Sequence, residues 1–117
     1  MTNALRGIRV LDLTNVLAGP FACHQLAHMG ADVVKVETRN GGDLARQLGA
    51  DAELNKRYMG VSFLAQNPGK RSITIDFKHP AGKDVFRKLV RTADVLVENF
   101  RPGVMKRLGL CYEELLK

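Results

Sequence analysis

Short apolar runs that end in polar residues alternate with stretches of helical spacing along this chain. The run at residues 8–13 ends at Thr14, and the run "ADVVKVE" ends at Glu37. Between them apolar residues recur at helical spacing, with Pro20 suited to the first turn and Gly30 a natural C-terminal stop. Strand, helix and strand within about 30 residues match the size of one βαβ unit.

The same pattern returns in the second half of the chain. "ITIDF" predicts a strand at 73–77, Pro80 opens a helix, and "DVLVENF" predicts a strand at 94–100. A polar loop with Gly41, Gly42 and Asp43 and a partly helical stretch lie between the halves. Four strands alternating with helices predict an α/β fold, a Rossmann-like parallel sheet with helices on both faces, in one domain spanning 1–117.

Composition narrows the classes of partner. The 117 residues carry a net charge of +6, with 18 Lys and Arg spread along the chain, which favours an anionic ligand. With no recognised nucleic-acid motif, and two Tyr and five Phe as stacking surface, the sequence favours a phosphorylated ligand over nucleic acid. No segment has the length of a membrane span or the apolar core of a signal peptide, so we expect a cytoplasmic protein without a membrane partner.

Metal-binding and nucleophilic patterns are weak. Cys23 and Cys111 form no CxxC motif, and His24 and His28 lack a third ligand, so no metal site is predicted. Four aspartates stand within or beside strands, where caps and solvated ends are commoner than nucleophiles: Asp12, Asp43, Asp76 and Asp94. We therefore predict no catalytic residue among them.

The ends of the strands are the candidate site, because ligands of open parallel sheets bind beyond the carboxyl ends of the strands. In "DVLVENFRPGVMKRLGL" the run at 95–97 predicts a covered strand that leads directly into an amide, an aromatic ring and cations. The third and fourth strand ends together supply two rings and two cations, which suit an adenine and a phosphate. No GxGxxG motif and no Walker lysine loop is present, which disfavours a dinucleotide or P-loop site.

Four segments together resemble one known family. They are "VLDLTNVLAGPFACHQLAHMGADVVKVE", "GGDLAR", "NPGKRSITIDFKHPAGKDVFRKLV" and "ADVLVENFRPGVMKRLGLCYEEL". In this order and spacing they resemble the N-terminal portion of the family III coenzyme A transferases, also called the CaiB/BaiF family. The resemblance covers essentially the whole chain. Formyl-CoA:oxalate and carnitine CoA-transferases belong to that family, and α-methylacyl-CoA racemase is a related branch.

The resemblance implies coenzyme A or an acyl-CoA as substrate and no permanently bound cofactor. It places the adenine and phosphates of CoA against these residues: Val16, Leu17, Arg39, Ile75, Asp76, Phe77, Lys78, Asn99, Phe100, Arg101 and Arg107. Some family members have glutamine where this chain has Leu17 and arginine where it has Thr38. Leu17 disfavours formyl or oxalate chemistry, and Arg39 is the expected replacement for the lost cation.

The resemblance also implies a chemistry. Family members use an aspartate that attacks an acyl-CoA, giving a mixed anhydride and then an enzyme thioester, before the acceptor acid takes the CoA. That aspartate lies downstream of "ENFRPG" in the family, beyond Lys117 here. We therefore expect a truncated member that is inactive alone.

Two further expectations concern assembly. Family members form interlinked homodimers, whereas a sheet cut after its fourth strand should expose an edge and self-associate. Two alternatives stay open. The chain could be a non-catalytic CoA-binding or dimerising fragment, or it could belong to the racemase branch.

Overall fold

The computed structural model describes residues 3–117, which form one four-stranded sheet. The strands are β1 (Arg9–Asp12), β2 (Asp32–Glu37), β3 (Arg71–Thr74) and β4 (Val95–Val97). All pairings are parallel, and the order across the sheet is β3-β2-β1-β4. The predicted α/β fold with a parallel sheet is confirmed.

Helices connect the strands, and two more follow the last strand. They are α1 (Ala18–His28), α2 (Ala52–Lys56), α3 (Val61–Gln66), α4 (Pro80–Val90), α5 (Val104–Arg107) and α6 (Tyr112–Leu115), with a 3-10 helix at Leu44–Gln47. The stretch that the sequence left undivided becomes the 3-10 helix, α2 and α3. Two aspartate side chains cap the starts of these helices. Asp43 accepts the Ala45 N–H at the start of the 3-10 helix, and Asp51 accepts the N–H groups of Glu53 and Leu54 at the start of α2.

Alternation along the strands divides the apolar side chains between the two faces of the sheet. On one face Val10 and Val33 pack with Cys23 of α1. On the other face Leu11 and its neighbours pack with Phe86 of α4. Helices cover both faces of the sheet, as the sequence predicted. On the side covered by α1, the polar side chains of Asp12 and Lys35 are buried near the ends of β1 and β2.

Two strand boundaries differ from the prediction. β3 occupies 71–74 rather than 73–77, because the chain turns at Asp76, whose side chain accepts the Lys78 N–H at 2.9 Å and whose carbonyl accepts the His79 N–H at 3.2 Å. β4 ends at Val97, since the Glu98 carboxylate accepts the Phe100 N–H at 2.7 Å. Both local turns compete with the ladder.

β4 lies at the edge of the sheet, paired with β1 alone. The prediction that 95–97 is a covered strand is wrong for Val95, which is 40% exposed. The expected exposed edge is confirmed, and a groove of 660 Å³ runs beside it, lined by residues that include Val95, Met105, Tyr112 and Leu116.

Across residues 3–117 no helix is both long and apolar enough to cross a bilayer.

Candidate site at the carboxyl edge of the sheet

The residues that the sequence placed in the site follow shortly after a strand, except Arg107, which is the last residue of α5. Parallel pairing brings all four strand ends to one edge of the sheet. β1 and β2 are central, whereas β3 and β4 are the outer strands. Three inter-strand spacings, about 14 Å, therefore separate the ends of β3 and β4. A ligand that touches both must be extended along this edge, so one adenine ring alone does not bridge them.

The loop after β1 has an unusual backbone. Val16 adopts φ 72°, in the left-handed region that costs a β-branched residue on the order of 1–3 kcal/mol. Its N–H donates to Asp43 Oδ1 at 3.0 Å. The next residue back, Asn15, exchanges two hydrogen bonds of 3.0 Å with the side chain of Asn99. The loop is thus tied both to the segment after β2 and to the segment after β4.

Two buried ion pairs lie beneath this loop. Lys35 Nζ is 2.8 Å from Asp43 Oδ2, and Lys70 Nζ is 2.7 Å from Asp12 Oδ2. All four side chains are at most 2% exposed. Burial lowers the pKa of Lys70, and the hydrogen bond and charge of Asp12 oppose that shift.

Sequence reasoning missed these pairs. It could have found one, because a lysine inside "VVKVE" interrupts an apolar run. A buried cation needs a partner, and here the partner is Asp43.

A third ionic group joins the ends of β2 and β3. Burial would raise the pKa of Glu37, but hydrogen bonds from Arg46, Ser72 and the Asp43 N–H outweigh it and lower that pKa to about 2. The guanidinium carbon of Arg46 also lies 3.8 Å from the centre of the Phe63 ring. A polar cleft of 360 Å³ opens above this group, with Arg39 among its lining residues.

The cations at the outer surface of the carboxyl edge, called the rim below, differ from the interior cations in having no carboxylate partner among the described residues. Arg39, Lys78, Arg101 and Arg107 are all exposed. Within residues 3–117 none of these four forms an ion pair, whereas Lys35, Arg46 and Lys70 each hold a carboxylate. The rim therefore presents free positive charge beyond the strand ends.

The apolar candidates of the site belong largely to the core. Ile75 is 5% exposed, so its backbone is the part that a ligand could touch. Phe77 packs edge-on against Phe86, with ring centres 5.0 Å apart, and Phe100 packs against the same cluster. Both rings are only half-buried, which leaves a part of each surface at the edge.

The residues that the sequence set aside have structural roles. Asp12 and Asp43 are held in the buried ion pairs, and His24 Nδ1 lies 3.1 Å from the Pro68 carbonyl oxygen. Burial, together with the Asp12 carboxylate, raises the pKa of the Cys23 thiol to about 11. In the described part of the chain, no cluster of three or more His, Cys, Asp or Glu side chains is arranged to hold a metal ion.

These features define a class, an α/β segment with a parallel sheet whose carboxyl edge presents exposed cations. The profile of CoA-transferase family III matches residues 5–117, and the chain belongs to this family.

Individual relatives of known name are consistent with this family assignment. The chain is 49% identical over 116 residues to a formyl-CoA:oxalate CoA-transferase of Rhodopseudomonas palustris (strain TIE-1), covering 98% of this chain and 26% of that protein. It is 45% identical over 118 residues to the formyl-CoA:oxalate CoA-transferase of Afipia carboxidovorans, covering 100% of this chain and 27% of that one.

Two solved structures share the backbone fold of this chain. A CAIB/BAIF family protein from Brucella suis superimposes with a TM-score of 0.86 at 40% identity, over 98% of this chain and 30% of that one. The hypothetical protein Rv3272 from Mycobacterium tuberculosis gives 0.84 at 42% identity, over 95% and 29%. The chain thus spans about a quarter of the length of the curated relatives, and its sheet is a part of the family fold.

Proposed function

We propose that residues 1–117 are the CoA-binding N-terminal unit of an enzyme that moves CoA from an acyl-CoA to a carboxylic acid. The observation that carries the proposal is the contrast between interior and rim cations. The interior ones are neutralised by carboxylates, and Arg39, Lys78, Arg101 and Arg107 are not. In this proposal a CoA thioester is the substrate, and no cofactor is permanently bound.

The proposed ligand fits the layout of the edge. CoA carries an adenine, a 3'-phosphate and a diphosphate on an extended molecule, and the rim offers cations after β2, β3 and β4. Charge-assisted hydrogen bonds from arginine are the strongest that a protein offers to phosphate. Arg101 and Arg107, which follow β4, are the proposed partners of the 3'-phosphate, with the adenine against the exposed part of Phe100.

The loop after β1 supplies contacts of another kind. Val16 and Leu17 are 39% and 59% exposed at the end of a central strand, so a ligand lying along the edge passes over them. Leu17 offers an apolar side chain without a hydrogen-bonding group. We therefore propose the general class of acyl-CoA:carboxylate CoA-transferases for this chain. We do not assign it formyl-CoA and oxalate, the substrates in the name of its relatives.

In this proposal the chain binds and orients CoA, and the nucleophilic aspartate stands outside residues 1–117. The two most buried aspartates already serve in ion pairs, because Asp12 holds Lys70 and Asp43 holds Lys35. A carboxylate held in this way lacks access to a thioester carbonyl. In this proposal neither Asp12 nor Asp43 is therefore the nucleophile.

Mapping by NMR tests the proposal. With CoA added to isotope-labelled chain, we expect amide shifts at residues 16–17, 76–78 and 99–101, and none at the opposite edge, at Arg9, Asp32 and Asp94. Pantetheine, which lacks the nucleotide, is the matched ligand and should leave 99–101 unchanged. Shifts centred on the opposite edge, or no shift at millimolar CoA in a folded chain, would refute the assignment.

A further inference from the structure

We infer that the buried Lys35–Asp43 pair is a positioning device that holds residues 14–16 in the conformation that presents Val16 and Leu17 to CoA. The inference rests on the proposed function for its ligand. It assigns a role to two side chains that are 1% and 0% exposed and that touch no ligand themselves.

The pair holds the loop at two points. Lys35 Nζ donates to the Thr14 carbonyl oxygen at 2.8 Å. Asp43 Oδ1 accepts the Val16 N–H at 3.0 Å. Because Lys35 Nζ is also 2.8 Å from Asp43 Oδ2, the two anchors are joined to each other across the interior.

Asp43 is itself fixed in place. Its N–H donates to Glu37 Oε1 at 3.0 Å, and its Oδ1 also accepts the Ala45 N–H at 2.9 Å at the start of the 3-10 helix. The loop after β1 is therefore hydrogen-bonded to a side chain that is itself held by hydrogen bonds and an ion pair. This matters because Val16 has φ 72°, a conformation that persists only where the surroundings enforce it.

A role limited to stability would be filled equally well by apolar side chains, since buried ion pairs are often replaceable by well-packed apolar groups. The polar pair instead reaches two backbone groups of one loop. Replacing it with apolar residues should preserve the fold and release the loop. That separation makes the inference testable.

Two charge-free double variants make the test. Lys35→Met with Asp43→Asn removes the Thr14 anchor and keeps an acceptor for Val16, whereas Lys35→Met with Asp43→Leu removes both anchors. Val33→Ala is the control for stability loss, because Val33 is buried on the same face, where it packs with Val10 and Cys23. Each protein is first shown to be folded by its amide spectrum.

Amide hydrogen exchange in the ligand-free chain is the first measurement. We expect exchange at Val16 to rise at least tenfold in the Leu variant, relative to the strand amides of the same protein. The Asn variant should show a smaller rise, and Val33→Ala should show none beyond its general loss of protection. Unchanged exchange at Val16 in the Leu variant overturns the inference, whatever the chain binds.

Calorimetric titration with CoA is the second measurement. We expect about tenfold weaker binding in the Leu variant and unchanged affinity in Val33→Ala. Affinity that follows stability across all three proteins assigns the pair a purely structural role and overturns the inference. If the wild-type chain binds no CoA, the proposed function fails instead, and exchange at Val16 still decides whether the pair holds the loop. If the Leu variant does not fold, increased exchange at residues 14–16 and weaker binding in the Asn variant support the inference, and their absence overturns it.

Discussion

Arg46 binds both carboxylate oxygens of Glu37, with Nε 2.8 Å from Oε1 and Nη2 2.7 Å from Oε2. The Ser72 hydroxyl donates to Oε2 at 2.6 Å, and the Asp43 N–H donates to Oε1 at 3.0 Å. One carboxylate therefore links the end of β2 to β3 and to the loop that carries Asp43. The geometry of the carboxyl edge depends on that carboxylate staying ionised.

This dependence predicts acid sensitivity. The pKa of Glu37 falls from 4.5 to about 2 on folding, so its contribution to stability is complete above about pH 4.5 and is lost as the pH falls towards 2. The shift corresponds to roughly 3 kcal/mol of unfolding free energy. Denaturant unfolding of the wild type and of Glu37→Gln between pH 6 and pH 2.5 should show curves that converge at low pH.

Glu53→Gln is the matched control for that experiment, because Glu53 is 79% exposed in an ion pair with Lys56. Its stability should follow the wild-type curve at every pH. Parallel curves for the wild type and Glu37→Gln would contradict the role given to the Glu37 carboxylate.

The two cysteines should differ in reactivity. Cys23 is fully buried with a pKa raised to about 11, so at pH 8 only about 0.1% of it is thiolate. Cys111 is only half-buried. In a timed alkylation followed by mass spectrometry we expect Cys111 to be modified first, and both to react in denaturant. Equal rates in the folded chain would show that the α1 face is open.

The edge strand should mediate self-association. Val95 is 40% exposed beside the groove that Tyr112 and Leu116 line, and unpaired strand edges are templates for pairing. Sedimentation velocity across a concentration series should show the wild type associating and Val95→Lys less so. Val85→Lys, on the 44% exposed Val85 of α4, is the matched control and should behave as the wild type. Equal association in all three proteins would place the contact elsewhere.

The sequence was sufficient to predict the kind of fold. Apolar periodicity locates all four strands, and parallel pairing follows from the helices between them, so the residues of the candidate edge could be named in advance. The predicted boundaries of β3 were wrong. The β-branched residue Ile75 extends the strand-like pattern past Thr74, whereas the hydrogen bonds of Asp76 turn the chain. Local hydrogen bonding outweighed strand propensity there.

The interior of the site could not be predicted from the sequence. Lys70 reaches Asp12 across 58 positions of sequence, and Lys35 reaches the Thr14 carbonyl across 21. No local pattern encodes such pairs. The left-handed backbone of Val16 is equally hidden, since a valine in that conformation is enforced by its surroundings rather than by its own preference.

The most direct test of the account is calorimetric titration of the chain with CoA and with dephospho-CoA, which lacks the 3'-phosphate. We predict that CoA binds about tenfold more tightly, as expected for one or two charge-assisted hydrogen bonds. Arg107→Ala should reduce that difference, because Arg101 is then the one remaining partner, and Arg91→Ala, which removes an exposed cation at the far end of α4, should preserve it. Equal affinity for the two ligands, or no binding at millimolar concentration by a folded chain, would contradict the claim that the carboxyl edge holds the nucleotide of CoA.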